Sequence, residues 1–132
     1  EIPEGTSAED RTRALVTALV RYIQRRRDNY VAVLRSGRSV DPVLEKVVDG
    51  MHRTISLRIL ESIGVARPGP MTLVLTRAWL AGCEELALLG EESGLPQKAV
   101  IDSSLASLSA IAALPDSVAG IGRTDHPADP AE

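Results

Sequence analysis

The sequence predicts an all-α fold, a bundle of about five helices, and three observations support this prediction. Apolar residues make up 44% of the 132 residues, and the chain has one Trp, two Tyr and no Phe. Leu, Val, Ile and Ala therefore supply the core, which favours helices over aromatic-rich sheets. Apolar positions recur at helical spacing in five segments, while no strand-like alternation is long enough to nucleate a sheet.

The first two predicted helices are separated by a bend. Helical spacing of apolar residues predicts a first helix from about Ala8 to about Arg25, and the stretch RRRDNY then interrupts the pattern. Apolar residues resume at helical spacing from Tyr30 to Leu34, and Gly37 then supplies a C-terminal stop, which predicts a short second helix. Polar residues ahead of the first helix offer N-cap chemistry: Thr6, Ser7 and Asp10.

Proline and glycine mark the ends of the three remaining helices. Asp41 as N-cap and Pro42 at the first helical position predict a third helix to about Ile63, where Gly64 ends it. The fourth is expected from about Met71 to Leu89, with Gly90 as its stop, and the fifth from Pro96 through Leu114. We therefore expect one helical domain over residues 1–115 and a flexible C-terminal tail over residues 116–132.

The fourth and fifth helices carry more apolar and small-residue surface than the core of a single chain needs to bury. The fourth is apolar over most of its circumference, which indicates packing on two sides, the second against another chain or a ligand. The fifth has one small and polar side, which is either a close helix–helix interface or a solvated surface, and the interface is favoured. The residues of that side are Ser103, Ser104, Ala106, Ser107, Ser109 and Ala110.

Charge and composition exclude several classes of protein. Residues 1–67 carry 12 Lys and Arg against 9 Asp and Glu, and residues 68–132 carry 3 against 9. This segment therefore lacks the basic excess of a nucleic-acid-binding domain. No apolar run approaches the ~20 residues that span a bilayer, the first residues do not resemble a signal peptide, and a lone cysteine suits a reducing compartment. We expect a soluble, cytoplasmic protein that does not bind membranes.

No arrangement of residues indicates catalysis, a metal or a cofactor. The two histidines, His52 and His126, have no metal-ligand spacing around them. Cys83 lies within an apolar helix, where a thiol is usually inert. Glu84 and Glu85 project about 100° apart on a helix, so they cannot form a facing acid–base pair, and we expect that they are solvated or that one of them caps the pocket or interface.

Two further polar groups have alternative interpretations. His52 lies on the flank of the apolar side of the third helix, where it is either a partly buried, hydrogen-bonded histidine or a polar group lining a ligand cavity. Arg25, Arg26 and Arg27 suggest a phosphate site only weakly, because no Gly-rich loop or interleaved aromatic residue accompanies them. A solvated helix end is the preferred interpretation of these arginines.

Four successive segments carry a resemblance to a known family. They are ALVTALVRYIQRRRDNYVAVLRSG, VVDGMHRTISLRIL, the Trp79-containing TLVLTRAWLAGCEELALLG, and LPQKAVIDSSLASLSAIAAL. Their order and lengths, over about residues 8–114, resemble the C-terminal ligand-binding and dimerisation domain of TetR-family transcriptional regulators. The match depends on this order and on the Trp-containing helix, since no single motif is diagnostic.

The resemblance implies a homodimer that binds a small, largely apolar effector. It places the effector between the first, third and fourth helices. The candidate pocket residues there are Leu19, Tyr22, Met51, His52, Ile55, Trp79 and Cys83. Packing in the core is the alternative role of each. It places the dimer interface on the last two helices, with candidates Leu75, Gly82, Leu86, Leu105, Leu108 and Ala112.

The resemblance also implies how such a domain acts. Effector binding would favour one arrangement of the two subunits and so alter operator affinity, in proportion to the effector's differential affinity for the two arrangements. DNA would be bound only through an N-terminal helix-turn-helix, which the present sequence lacks. The alternative hypothesis is a helical homodimerisation module that binds no small molecule.

Overall fold

The computed structural model describes residues 5–35 and 41–113, and within these ranges it contains five helices and no strand. The prediction of an all-α bundle of about five helices is therefore confirmed. The helices are α1 (Ala8–Arg25), α2 (Arg27–Arg35), α3 (Pro42–Ser62), α4 (Pro70–Glu92) and α5 (Gln97–Ala112).

Capping residues set the starts of α1 and α3 as the sequence predicts. Ser7 is the N-cap of α1, and its hydroxyl accepts a hydrogen bond from the Asp10 backbone N–H at 3.1 Å. The Asp41 carboxylate caps α3 by accepting from the Val43 backbone N–H at 2.9 Å. These bonds satisfy backbone donors that have no partner within the helix.

The end of α4 differs from the prediction, because the helix continues through Gly90 to Glu92. A Cβ at Gly90 would lie 2.8 Å from Cγ2 of Val100 in α5. The glycine therefore serves the close approach of two helices, while Gly94, with φ of 72°, supplies the left-handed residue after the helix. Pro96 is the N-cap of α5 and not its first residue. Gly37, Leu114 and the predicted tail lie outside the described residues.

The core lies where α1, α4 and α5 meet, with the C-terminal half of α3 packed against α1 and α4. Its fully buried side chains include Val16, Val20, Ile23, Ile59, Leu60, Leu80, Val100 and Leu108. The first turns of α3 project beyond this core, and Val43 there is 70% exposed. None of the described helices is long and apolar enough to cross a membrane.

Candidate functional site

Two adjacent glutamates in α4 have opposite environments. The Glu84 side chain is 7% exposed, and its Oε1 lies 2.7 Å from Nε2 of His52 in α3. Glu85 is exposed to solvent. A carboxylate can only accept, so the imidazole Nε2–H donates. Solvation, the first alternative expected for these glutamates, holds for Glu85 and not for Glu84, since the 100° step between neighbours turns Glu84 inward. The second alternative, that one of them caps a pocket or interface, stays a prediction.

Further polar groups lie around the His52–Glu84 pair. Burial, and secondly the nearby Glu84 carboxylate, raises the pKa of Tyr30 in α2 to about 12. Ser56 follows His52 by one turn of α3; it is 1% exposed, and its Oγ has no hydrogen-bond partner among the described residues. Polar groups from α2, α3 and α4 thus occur together beside an apolar core, an arrangement suited to binding a mostly apolar molecule with a few polar atoms.

Three of the predicted pocket residues belong to the core of the chain. Leu19, Trp79 and Cys83 are all buried in the main cluster. The Trp79 Nε1–H donates to the backbone carbonyl of Ser104 in α5 at 2.9 Å, so its polar atom is satisfied within the chain. Burial raises the pKa of the Cys83 thiol to about 11, opposed by a Ser104 hydrogen bond and assisted by Glu84, which leaves it protonated and unreactive at neutral pH.

The other predicted pocket residues lie at the edge of that core. Ile55 packs against the core cluster, and Met51 is half-buried, both on α3 near His52. Tyr22 is more exposed; it meets Tyr30 edge to face, with ring centroids 6.3 Å apart, and Arg26 lies over its ring at 4.7 Å. His52, Met51 and Ile55 thus lie on α3 at the edge of the core, while Tyr22 lies at the surface in contact with Tyr30 of α2.

Arg27 has a role that the sequence analysis did not predict. Its guanidinium donates to the backbone carbonyl of Leu88 at 3.2 Å and forms ion pairs with Glu91 and Glu92, so it is not simply part of a solvated helix end. These contacts fasten the start of α2 to the last turn of α4. The only sequence signal for this link is the acidic pair Glu91 and Glu92 after Gly90. Two adjacent acidic residues do not by themselves indicate which basic residue pairs with them.

The side of α4 that points away from the core is exposed and nearly uncharged. α4 contacts α3 through Glu84 and Arg77 and contacts α5 through Trp79, so the side between these contacts faces outward. In the span from Met71 to Leu89 that side carries one charge, Glu85, and Arg77 lies at its border with α3. Its exposed apolar and small residues are Met71, Val74, Ala78, Ala81, Gly82 and Leu89.

A second exposed stripe on α5 continues this surface. α5 contacts α4 through Ser104 and α1 through the Asp102–Arg13 ion pair, so the side between those contacts also faces outward, next to that of α4. This stripe consists of Ala99, Ser103, Ala106 and Ala110, all exposed. We call the two stripes together the outer face. Ser104, predicted to lie on the small polar side of this helix, is instead 1% exposed and donates to the Val100 carbonyl.

The predicted interface residues divide between the outer face and the core. Gly82 lies within the outer face, and the half-buried Leu75 and Leu86 lie between it and the contact with α5. Leu108 is buried and the partly buried Leu105 packs against the core, so both already have apolar contacts within the chain. The last candidate, Ala112, is exposed near the end of α5, on the side that carries Leu105 and Leu108.

The described residues contain no group of three or more His, Cys, Asp and Glu side chains placed to hold a metal ion. Comparisons with known proteins found no match to the chain among family models, curated proteins or solved structures.

Proposed function

We propose that this chain is the effector-sensing and dimerisation domain of a TetR-like transcriptional regulator. The observation that carries the proposal is the outer face, which exposes apolar and small residues of two packed helices with almost no charge. Contiguous apolar surface of this kind usually marks a protein interaction site. A second copy of the chain can cover it by pairing α4 and α5 with their symmetry mates in a self-complementary arrangement.

The effector is proposed to bind beside the His52–Glu84 pair, between α2, α3 and α4. Glu84 and Ser56 are buried polar groups, and the Ser56 hydroxyl has no partner in the described part of the chain. A buried hydroxyl without a partner costs about 1 to 3 kcal/mol, and a ligand atom that bonds it recovers part of that cost. Because α3 and α4 both line this region, a ligand here would bias the position of the helix that carries the outer face.

A dimerisation module without an effector is the second candidate. The observation that favours it is the complete packing of Trp79, Cys83 and Leu19 within the core, where each side chain already has protein neighbours. Under this hypothesis the His52–Glu84 pair only joins α3 to α4.

Native mass spectrometry of the chain at low micromolar concentration tests both candidates. The sensing domain predicts a dimer that carries additional bound small-molecule mass or gains it from a bacterial metabolite extract. A bare dimer that takes up nothing from the extract supports the dimerisation module. A monomer contradicts both.

A pair of matched variants tests the outer face itself. Ala106→Arg places a charge within the outer face, and we expect it to shift the protein to monomer because a buried unpaired charge is costly. Ala18→Arg makes the same change on the exposed side of α1, outside the outer face, and we expect it to leave the dimer intact. Equal effects of the two variants on the dimer would refute this location of the interface.

A further inference from the structure

The outer side of α4 is nearly symmetric end to end about Ala81 and Gly82. Val74, 63% exposed, and Leu89, 53% exposed, lie at equal distances on either side of this point. Arg77 and Glu85, of opposite charge, flank the same point about one turn away on each side. A helix with this pattern is complementary to a second copy of itself that runs in the opposite direction.

Among the described residues, Gly82 has no contact that requires a glycine. A Cβ at Gly82 would meet no atom within 4 Å, whereas one at Gly90 would meet Val100. Glycine in a helix interior lowers stability relative to alanine, and a close contact with another helix would offset that cost at Gly82. With the exposed Ala78 and Ala81 beside it, Gly82 allows the backbone of another helix to approach closely.

The charges on this side are incompletely paired. Glu85 has no ion-pair partner among the described residues. Arg77 pairs with Asp49 of α3 at 2.6 Å, but its side chain is 45% exposed. A guanidinium has five N–H donors and can bind a second carboxylate.

We propose that two copies of α4 cross antiparallel at Ala81 and Gly82, and that Arg77 of each copy pairs with the partner's Glu85. The occupant of the outer face is thus a second copy of this chain, because the charges of α4 complement themselves across a two-fold axis at this point. The proposal rests on the dimer of the proposed function and specifies its register. Two symmetry-related ion pairs exclude the parallel arrangement, in which like charges would face each other.

A charge-exchange cycle tests this register. It is made in an Asp49→Ala background, so that an acidic residue introduced at position 77 does not face the Asp49 carboxylate. We expect Asp49→Ala alone to keep the dimer dissociation constant within about threefold of that of the parent chain, since an exposed ion pair contributes little. Circular dichroism and thermal unfolding of each variant verify that the helices are intact.

In that background, Glu85→Arg and Arg77→Glu should each weaken the dimer by about tenfold or more, because each places like charges together across the axis. The combined variant restores opposite charges in exchanged positions, and its dissociation constant should return to within about threefold of the background value. Sedimentation equilibrium gives these constants. If the combined variant dimerises no more tightly than the weaker of the two single variants, the register is wrong. The proposed function still stands in that case if Ala106→Arg disrupts the dimer.

Two glycine variants test the close crossing separately. Gly50→Ala and Gly82→Ala both replace an exposed glycine within a helix, and neither new Cβ lies within 4 Å of a described residue outside its own helical neighbourhood. Both should raise the melting temperature of the monomer, but only Gly82→Ala should weaken the dimer, by about fivefold or more. Equal dimer dissociation constants for the two variants would overturn a crossing at Gly82.

Discussion

The inner and outer sides of α4 contrast in how their apolar residues are covered. The inner side contributes Trp79, Leu80 and Cys83 to the core, and the Trp79 N–H is bonded to α5. The outer side is also apolar, yet Val74 and Leu89 remain more than half exposed. Hydrophobicity therefore determines how much of a helix is favourably buried, but not whether the same chain or another molecule buries it.

The polar residues of α4 sharpen this contrast. On the inner side, Glu84 is buried with His52 as its partner, and the inner glycine, Gly90, accommodates Val100. On the outer side, Glu85 and Gly82 have no such contacts within the described part of the chain. The inner side is complete by itself, while the outer side has the features expected of a surface that meets a partner.

The largest expected effect is on the inner side. Trp79→Ala should lower the free energy of unfolding by about 4 kcal/mol, because it leaves a large cavity and removes the bond to the Ser104 carbonyl. Val74→Ala, on the outer side, should change it by no more than about 0.5 kcal/mol when the chain is monomeric. Denaturant unfolding at low concentration measures both, and similar values for the two variants would remove the distinction between the sides.

An intermediate effect is expected at the buried pair. His52→Ala leaves the Glu84 carboxylate buried without its partner and should lower the free energy of unfolding by about 2 to 3 kcal/mol. Arg53→Ala, which alters the exposed neighbour of His52, should cost no more than about 0.5 kcal/mol. Combining His52→Leu with Glu84→Leu removes both polar groups and should recover most of the loss. If the double variant does not recover stability, the His52–Glu84 pair is more stabilising than two leucines in the same place, and the expected recovery is wrong.

The smallest expected effect is a pH dependence at Cys83. Its folded pKa of about 11 lies above the ordinary thiol value near 9, so its contribution to stability is complete below pH 9 and is lost as pH rises toward 11. Between pH 8 and 10, the wild-type chain should lose at most about 1.3 kcal/mol more of its unfolding free energy than Cys83→Ala does. Parallel pH profiles for the two proteins would contradict a thiol that folding keeps neutral.

Much of the fold was predictable because it depends on neighbours in sequence. The helical period, the caps at Ser7 and Asp41 and the turn at Gly64 each involve residues within a few positions of one another. The burial of Cys83 was likewise predictable, since it lies in the middle of an apolar segment. Gly90 was not, because its role depends on Val100 in the next helix.

The sequence by itself determined that five amphipathic or apolar helices form, and that α4 has more apolar surface than one core requires. Only the tertiary structure decided which side of α4 the chain covers, that Glu84 and not Glu85 meets His52, and that Arg27 closes the end of α4. The reason is that helix formation depends on contacts a few residues apart, whereas these pairings join residues 32 and 61 positions apart and depend on how whole helices pack.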